Sequence, residues 1–459
     1  IKKDWNLKFK NLFKIKPSQT LVLASALSAI FVNDFAKASI LNNNYKEVID
    51  HVWQIVYRDF LDSNGNFERS NWIKIRKEVL SRKYSDSDEA YDAIREMLLN
   101  LEDPYTRFLD PREFNQMRID TSGELTGVGI QIVKDKESDN LIIISPIEGT
   151  PAYDAGIKAQ DKILSIDNIS TKGMDIEDAV KLIRGPRGTK VKLKILRNGN
   201  SFYKFLARER IEIKTVSSKI NKTKNGLLIG YLRIKQFNAN ASREMKGTLK
   251  GLETKGVSGY ILDLRSNPGG LLEASIDISR QFINKGIIVS TLTKDGLTEI
   301  KRANGKALTT KPLVVLVNEG SASASEIVSG AIRDNNRGKL VGKKTFGKGL
   351  VQSMRTLVDG SGLTVTVAKY LTPNGTDINK SGITPDIEVR MNVNPILQRE
   401  IGTRRDNQYK IGENELIKLI KAKKLLSKFE PNTSNLSEVL KNKNLSLIHI
   451  SEPTRQFAL

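Results

Sequence analysis

The order of patterns along the chain predicts an α/β multidomain protein: a helical N-terminal domain, a small inserted β-domain and a larger α/β core. Three observations predict it. Apolar residues recur at helical spacing up to residue 101, short β runs punctuated by glycine fill 120–213, and from 227 onward apolar strands alternate with helical stretches. A length of 459 residues suits about three domains of roughly 150 residues each. The balance of 39% hydrophobic and 27% charged residues is that of a globular protein.

At the start, Lys2, Lys3, Lys8, Lys10, Lys14 and Lys16 precede an apolar run over 21–32 and then Ala36-Lys37-Ala38. Charged, apolar and small-residue segments in that order predict an export signal over 1–38, because the run is shorter than the ~20 residues a membrane span needs. The expectation is a chain that works outside the cytoplasm. Numbering opens at Ile1, which suggests that the natural start lies further upstream. At the other end, 446–459 resembles a translated sequencing adapter and is assigned no function.

In the helical domain, expected over 39–118, Val48, Ile49, Val52, Trp53, Ile55 and Val56 form one stripe, and 72–80 and 90–101 repeat the pattern. His51 lies beside that stripe and is read as structural. Asp62-Ser63-Asn64-Gly65-Asn66 faintly suggests a calcium loop, but the glycine is displaced and the distal glutamate missing, so a polar turn is the better reading.

Composition narrows the chemistry. With 0 Cys and 2 His, thiol catalysis, disulfides, cysteine-ligated zinc and multi-histidine metal sites are excluded, and a Ser-His-Asp triad is disfavoured. No metal or cofactor is called for. Lys+Arg 74 against Asp+Glu 52 leaves +22, which suits an anionic partner such as nucleic acid or a membrane surface. The charges are scattered among acids with no aromatic-basic stacking motif, so no nucleic acid partner is expected. Peripheral proximity to a membrane is compatible with the balance.

The β-domain, expected over 119–213, carries Gly127-Val128-Gly129-Ile130, then Ser145-Pro-Ile-Glu-Gly-Thr-Pro-Ala152, Asp161-Lys-Ile-Leu164 and Arg184-Gly185. These resemble a PDZ domain of the bacterial protease type. The resemblance implies that a free protein C-terminus is bound as an added strand, its carboxylate received by the backbone at Gly127, Val128, Gly129 and Ile130.

The core is expected over 214–394, followed by a Lys-rich helical segment over 395–445. Its Asn318-Glu-Gly-Ser-Ala-Ser-Ala-Ser-Glu-Ile327 follows a strand and opens a helix, where free amides can hold an anion. Ser321, Ser323 and Ser325 stay open as nucleophiles on this segment alone, and Ser323 with Glu326 also fits a capping box without chemistry. A nucleophilic serine lacking histidine needs another base, and a desolvated lysine can serve. Lys348, in Thr345-Phe-Gly-Lys-Gly-Leu-Val-Gln352, is the candidate. The rival there is a phosphate loop, since 342–348 matches G-x-x-x-x-G-K, but Gly349 stands where a hydroxyl would hold magnesium. A third segment, Leu262-Asp263-Leu-Arg265-Ser-Asn-Pro-Gly269-Gly270, breaks from a strand into a turn. Asp263 and Arg265 share a strand face, where an ion pair is the plain reading, and the glycines can aim a backbone amide into a crevice.

Together the three segments resemble the carboxyl-terminal processing peptidases, serine proteases with an inserted PDZ domain and a Ser-Lys dyad. The resemblance implies a ClpP/crotonase-like peptidase core, with Ser323 as nucleophile, Lys348 as base 25 positions later and Gln352 orienting it. It further implies oxyanion donation by the amides of Gly269 and Ala324, and support from Asp263, Arg265 and Glu326. The segments 101–109, 120–131 and 369–375 are similar to the cyanobacterial and plastid branch, which trims the photosystem II reaction-centre precursor in the thylakoid lumen. Substrates are then proteins or peptides with free C-termini, location is the periplasm or thylakoid lumen, and a monomer is favoured. General degradation of exported proteins is the alternative, and a non-catalytic tail-binding adaptor the rival class.

Overall fold

The computed structural model describes residues 45–135, 138–296, 298–391 and 401–429. The expected signal at 1–38 and the adapter-like tail lie outside the described residues.

Helices α1 (Tyr45–Asp59), α2 (Arg69–Ser81) and α3 (Ser87–Leu99) pack through the apolar stripe read from the sequence, with Val52, Val56 and Ile94 fully buried. His51 is half-buried beside that stripe. The polar turn after α1 is an Asp62 turn: its carboxylate accepts the N–H groups of Asn64, Gly65 and Phe67 at 3.0, 2.8 and 2.8 Å. Strand β1 (Arg107–Leu109) follows, then α4 (Pro111–Ser122). Sequence rules explain that helix at both ends: Asp110 and Glu113 form a capping box, Pro111 opens it, and Gly123 closes it at φ 70°. α4 runs across residue 119, where the sequence reading starts the β-domain.

Strand β2 (Glu124–Gly127) leads into the inserted domain of β3 (Ile130–Lys134), β4 (Leu141–Pro146), α5 (Pro151–Asp154), β5 (Lys162–Ile166), β6 (Ile169–Ser170), α6 (Ile176–Ile183), β7 (Lys190–Arg197) and β8 (Asn200–Ala207). The chain leaves through β9 (Glu209–Glu212), which pairs antiparallel with β2. Entry and exit thus form one ribbon. Inside, the sheet runs β3-β4-β5-β7-β8, and alternate residues Val191, Leu193 and Ile195 point at Ala179 and Ile183 of α6. β3 is an edge strand.

The core holds β10 (Val216–Lys222), β11 (Leu228–Ile234), α7 (Ala241–Thr254), β12 (Gly259–Asp263), α8 (Leu272–Phe282), β13 (Ile287–Thr293), β14 (Thr298–Arg302), β15 (Leu313–Val317), α9 (Ala324–Asp334), β16 (Lys339–Gly342), β17 (Leu350–Thr356), β18 (Gly362–Leu371), β19 (Ile387–Glu388) and α10 (Asn407–Phe429). One sheet runs β10-β11-β12-β15-β16-β19, parallel from β11 onward. The apolar runs of β12 and β15 are buried throughout because both faces are covered: Leu262, Val315 and Val317 face α7, α8 and α9, while Ile261, Val314 and Leu316 face Tyr409, Leu416 and Ile420 of α10.

A second sheet, β1-β18-β13-β14 with β17 on β18, joins the helical domain to this core. Phe108, Leu363 and Val365 pack with the N-terminal helices, so the region before residue 110 has no core wholly its own. This sheet brings the 103–107 loop against the segment after β16.

Candidate active site

The loops after β12 and β15 meet, as expected at the carboxyl ends of adjacent parallel strands. Asn318 Oδ1 accepts the N–H of Ser266 at 2.7 Å, and the N–H of Ala322 donates to the Asn267 carbonyl at 3.0 Å. They open on a cavity of about 1660 Å³ whose lining includes Ser323, Lys348, Gly269, Gly270, Gln352 and Tyr105. PDZ helix α6 lines the same cavity through Ile176 and Val180, as does Arg184 just after it.

Burial separates the three serines. Ser321 and Ser325 are fully buried, and their hydroxyls donate to the carbonyls of Leu264 at 2.8 Å and Asn267 at 2.9 Å. Ser323 is half-buried, lines the cavity and stands at φ 54° and ψ −114°. A residue other than glycine at that backbone position costs of order 1–3 kcal/mol. The strain is held by Glu326: the Ser323 N–H donates to its carboxylate at 2.8 Å, and the Glu326 N–H donates to the Ser323 carbonyl at 2.7 Å. The capping pattern read from the sequence is present and clamps the backbone of the cavity-lining serine.

Glu326 reaches further. Fully buried, its carboxylate also accepts the Thr345 hydroxyl at 2.6 Å and the amides of Gly347 at 2.7 Å and Lys348 at 2.9 Å. The loop 343–349 therefore wraps one carboxylate and runs into strand β17. A phosphate loop would open a helix there, so the structure disposes of that rival.

Lys348 is half-buried in the cavity wall. Its Nζ lies 4.6 Å from the Tyr105 ring centroid and, among the described residues, has no hydrogen bond or ion pair. Burial pulls its ammonium below the usual lysine range; the charge of Arg107 adds to this, and Asp103 and Glu326 oppose it. Tyr370, itself buried, donates its hydroxyl to the Lys348 carbonyl at 2.7 Å and reaches the Ser323 carbonyl at 3.2 Å.

Two expectations need correction. Gly269 was read as an oxyanion donor, but its N–H is held by Asn267 Oδ1 at 2.9 Å, and Asn267 is itself fully buried and tied to the Ile234 carbonyl. The unpaired amides at this point, among the described residues, are those of Gly270 and Ala324. Gly269 serves by its lack of a side chain: at φ 104°, a Cβ would sit 2.9 Å from Ser323 Cβ and 3.0 Å from the Ala324 nitrogen. Gln352 was read as orienting Lys348; its amide instead donates to Thr366 at 3.4 Å, and Thr366 donates to Asp103 at 2.6 Å.

Asp263 and Arg265, expected to support the site, do not line the cavity. Arg265 pairs with Asp263 and with Asp406, each at 2.6 Å, all three nearly or wholly inaccessible, and also donates to Gln408 at 3.0 Å. The pair thus fastens α10 to the end of β12. In the inserted domain, Gly129 at φ 82° packs so closely on Thr150 that any Cβ would collide with it, while among the described residues no strand pairs with the outer edge of β3 beside α6.

Residues 228–389 match Peptidase family S41 and residues 142–197 match the PDZ domain. The Carboxyl-terminal-processing protease of Synechocystis sp. (strain ATCC 27184 / PCC 6803 / Kazusa) is 44% identical over 360 residues, covering 78% of this chain and 83% of that one. The chain belongs to the carboxyl-terminal-processing proteases. Other relatives in this family are Carboxyl-terminal-processing peptidase 2, chloroplastic, of Arabidopsis thaliana, 37% identical over 80% of this chain and 73% of that one, and Carboxy-terminal processing protease CtpA of Bacillus subtilis (strain 168), 39% identical over 72% and 70%.

As a serine protease with a PDZ domain, it acts on protein substrates through their C-terminal tails. The sequence reading missed Tyr105, Asn267 and Tyr370. Tyr105 and Tyr370 lie in segments whose resemblance was noted without a role, and Asn267 sits unremarked beside the Pro-Gly-Gly turn.

Proposed function

We propose that this protease cuts C-terminal extensions with Ser323 and Lys348 as its dyad, and that its substrate is the photosystem II reaction-centre precursor. The observation that carries the dyad is a strained serine and a desolvated lysine on one cavity, their backbones tied to one buried carboxylate. A substrate tail docks along β3 of the PDZ domain, and its scissile carbonyl reaches Ser323. Neutral Lys348 takes the hydroxyl proton as Oγ attacks, and the amides of Ala324 and Gly270 meet the tetrahedral anion. Lys348 returns the proton to the leaving amine, and water hydrolyses the acyl-enzyme.

The substrate reading rests on segments 101–109, 120–131 and 369–375 and on the C-terminal-processing relatives from Synechocystis and from the chloroplast of Arabidopsis thaliana. The similarly related Bacillus subtilis protein is named a C-terminal processing protease too, so general tail-directed proteolysis is the second reading. An exported monomer working in the thylakoid lumen or periplasm belongs to the proposal; among the described residues no helix is long and apolar enough to cross a membrane.

The test is incubation of residues 39–445, and of the Ser323→Ala form, with a peptide ending in the precursor's extension, followed by mass spectrometry. One cut by wild type alone supports both parts. Digestion of unrelated unfolded tails only, still through Ser323, keeps the dyad and gives the second reading, while equal cleavage by Ser323→Ala removes the dyad.

A further inference from the structure

Among the described residues, no element packs on the face of the PDZ sheet turned away from α6, and that face is unusual in composition. Inward residues of β7 and β8 pack on α6, so by strand alternation Lys190, Lys192 and Lys194 point outward, beside Phe205 and Tyr203 of β8 in register: Lys192 opposite Phe205, Lys194 opposite Tyr203. Phe205 is 65% exposed, and Tyr203 and Ile144 are each 50% exposed. The Lys192 and Lys194 ammonium groups lie 4.4 and 5.8 Å from the Tyr203 ring centroid, within cation–π reach.

No outward position of β3, β4, β5, β7 or β8 carries an acid. Of the nearby carboxylates, Asp161 pairs with Arg197 at 2.6 Å, while Asp167 accepts the Lys192 main-chain N–H at 2.8 Å and lies 3.6 Å from Arg208; the Lys192 ammonium donates to Asn168 Oδ1 at 3.1 Å. Large apolar side chains exposed on a flat sheet are disfavoured in water, and amphipathic rings beside lysines match the headgroup layer of a bilayer, where rings insert and ammonium groups meet phosphates. An acidic protein would satisfy the lysines but leaves unexplained why rings rather than polar groups lie between them.

We infer that the outer face of the PDZ sheet is a docking surface for an anionic membrane, placing the protease at the lipid surface with its peptide groove free. Because α6 covers the opposite face of the sheet, and α6 lines the Ser323 cavity, docking leaves the path of an incoming tail open. The inference goes beyond the peptidase reading and is independent of it, since docking and cleavage are measured separately.

The experiment is co-sedimentation of the protein with vesicles of phosphatidylcholine, alone or mixed with phosphatidylglycerol, at low and high salt. Two variants accompany wild type: Tyr203→Ser with Phe205→Ser, and Lys190→Gln with Lys192→Gln and Lys194→Gln. Wild type is expected to bind the mixed vesicles, salt-sensitively, and each variant to bind at least about tenfold more weakly. Cleavage of a soluble peptide at the wild-type rate certifies that each variant is folded. Absence of wild-type binding overturns the inference, as does undiminished binding by both variants. Self-association in sedimentation that the aromatic variant abolishes, without vesicle binding, overturns it in favour of a second copy.

Discussion

Ser323 and Lys348 are joined through a single oxygen atom: Oε2 of Glu326 accepts the main-chain N–H of Ser323 at 2.8 Å and that of Lys348 at 2.9 Å. Two loops from different strands are held in register by one buried carboxylate, and the Tyr370 hydroxyl braces their carbonyls from the other side.

Glu326→Gln tests that joint. An amide keeps one acceptor and turns its hydrogens toward main-chain N–H groups that can only donate, those of Ser323 and Lys348 on one side or that of Gly347 on the other, so at least one of these amides loses its partner. The expected cost is about 2–4 kcal/mol of stability, read by urea unfolding. A fall in kcat of at least about tenfold should accompany it, since small misplacements of reacting groups are expensive.

Lys348→Met should abolish cleavage yet raise Tm. Burial sets the folded pKa of Lys348 below its unfolded value, so keeping it charged costs folding free energy at all pH values below the folded pKa, and that cost fades as pH rises toward 10.5. The methionine variant carries no such penalty, and its advantage in Tm should shrink as pH rises. Lys348→Arg should be inactive too, because guanidinium stays charged.

Tyr105 should set the pH profile. If its ring keeps water from Lys348, then Tyr105→Phe leaves the acidic limb of kcat/KM in place, whereas Tyr105→Ala moves the limb upward toward ordinary lysine. Each unit of that movement costs about tenfold in rate at neutral pH. A profile unchanged in Tyr105→Ala would assign the desolvation to other walls of the cavity.

Arg265→Met should destabilise without touching the chemistry. It strands Asp263 and Asp406, and breaking a buried pair costs about 3–5 kcal/mol. Burial pushes the Asp406 carboxyl upward, but Arg265 and the amides of Gly402 and Tyr409 outweigh it and hold the group below 3.8. That contribution is present above the unfolded value and lost as pH falls through the lowered folded one. Wild type should therefore lose stability at acid pH with a component missing from Arg265→Met, while kcat/KM of the folded variant stays near wild type.

Local pattern carried much of this architecture: the helical stripe through Val52 and Ile94, the capped helix from Pro111 to Gly123, the alternation in the PDZ strands and the doubly covered runs of β12 and β15 are short-range consequences of side-chain period and backbone sterics. The segments around Ser323 and Lys348 were visible for the same reason, as runs of small residues where a strand ends. Long-range contact settled the rest. Which of three serines keeps its hydroxyl at the cavity depended on Leu264 and Asn267, more than fifty residues away, claiming the other two. That Gly270 rather than Gly269 keeps a free amide depended on the side chain of Asn267, and the ring beside Lys348 came from Tyr105, brought there across the second sheet. A sequence lists hydrogen-bond donors and acceptors without saying who satisfies whom; burial and pairing are properties of neighbours brought together from far along the chain, and they exist once the chain has folded.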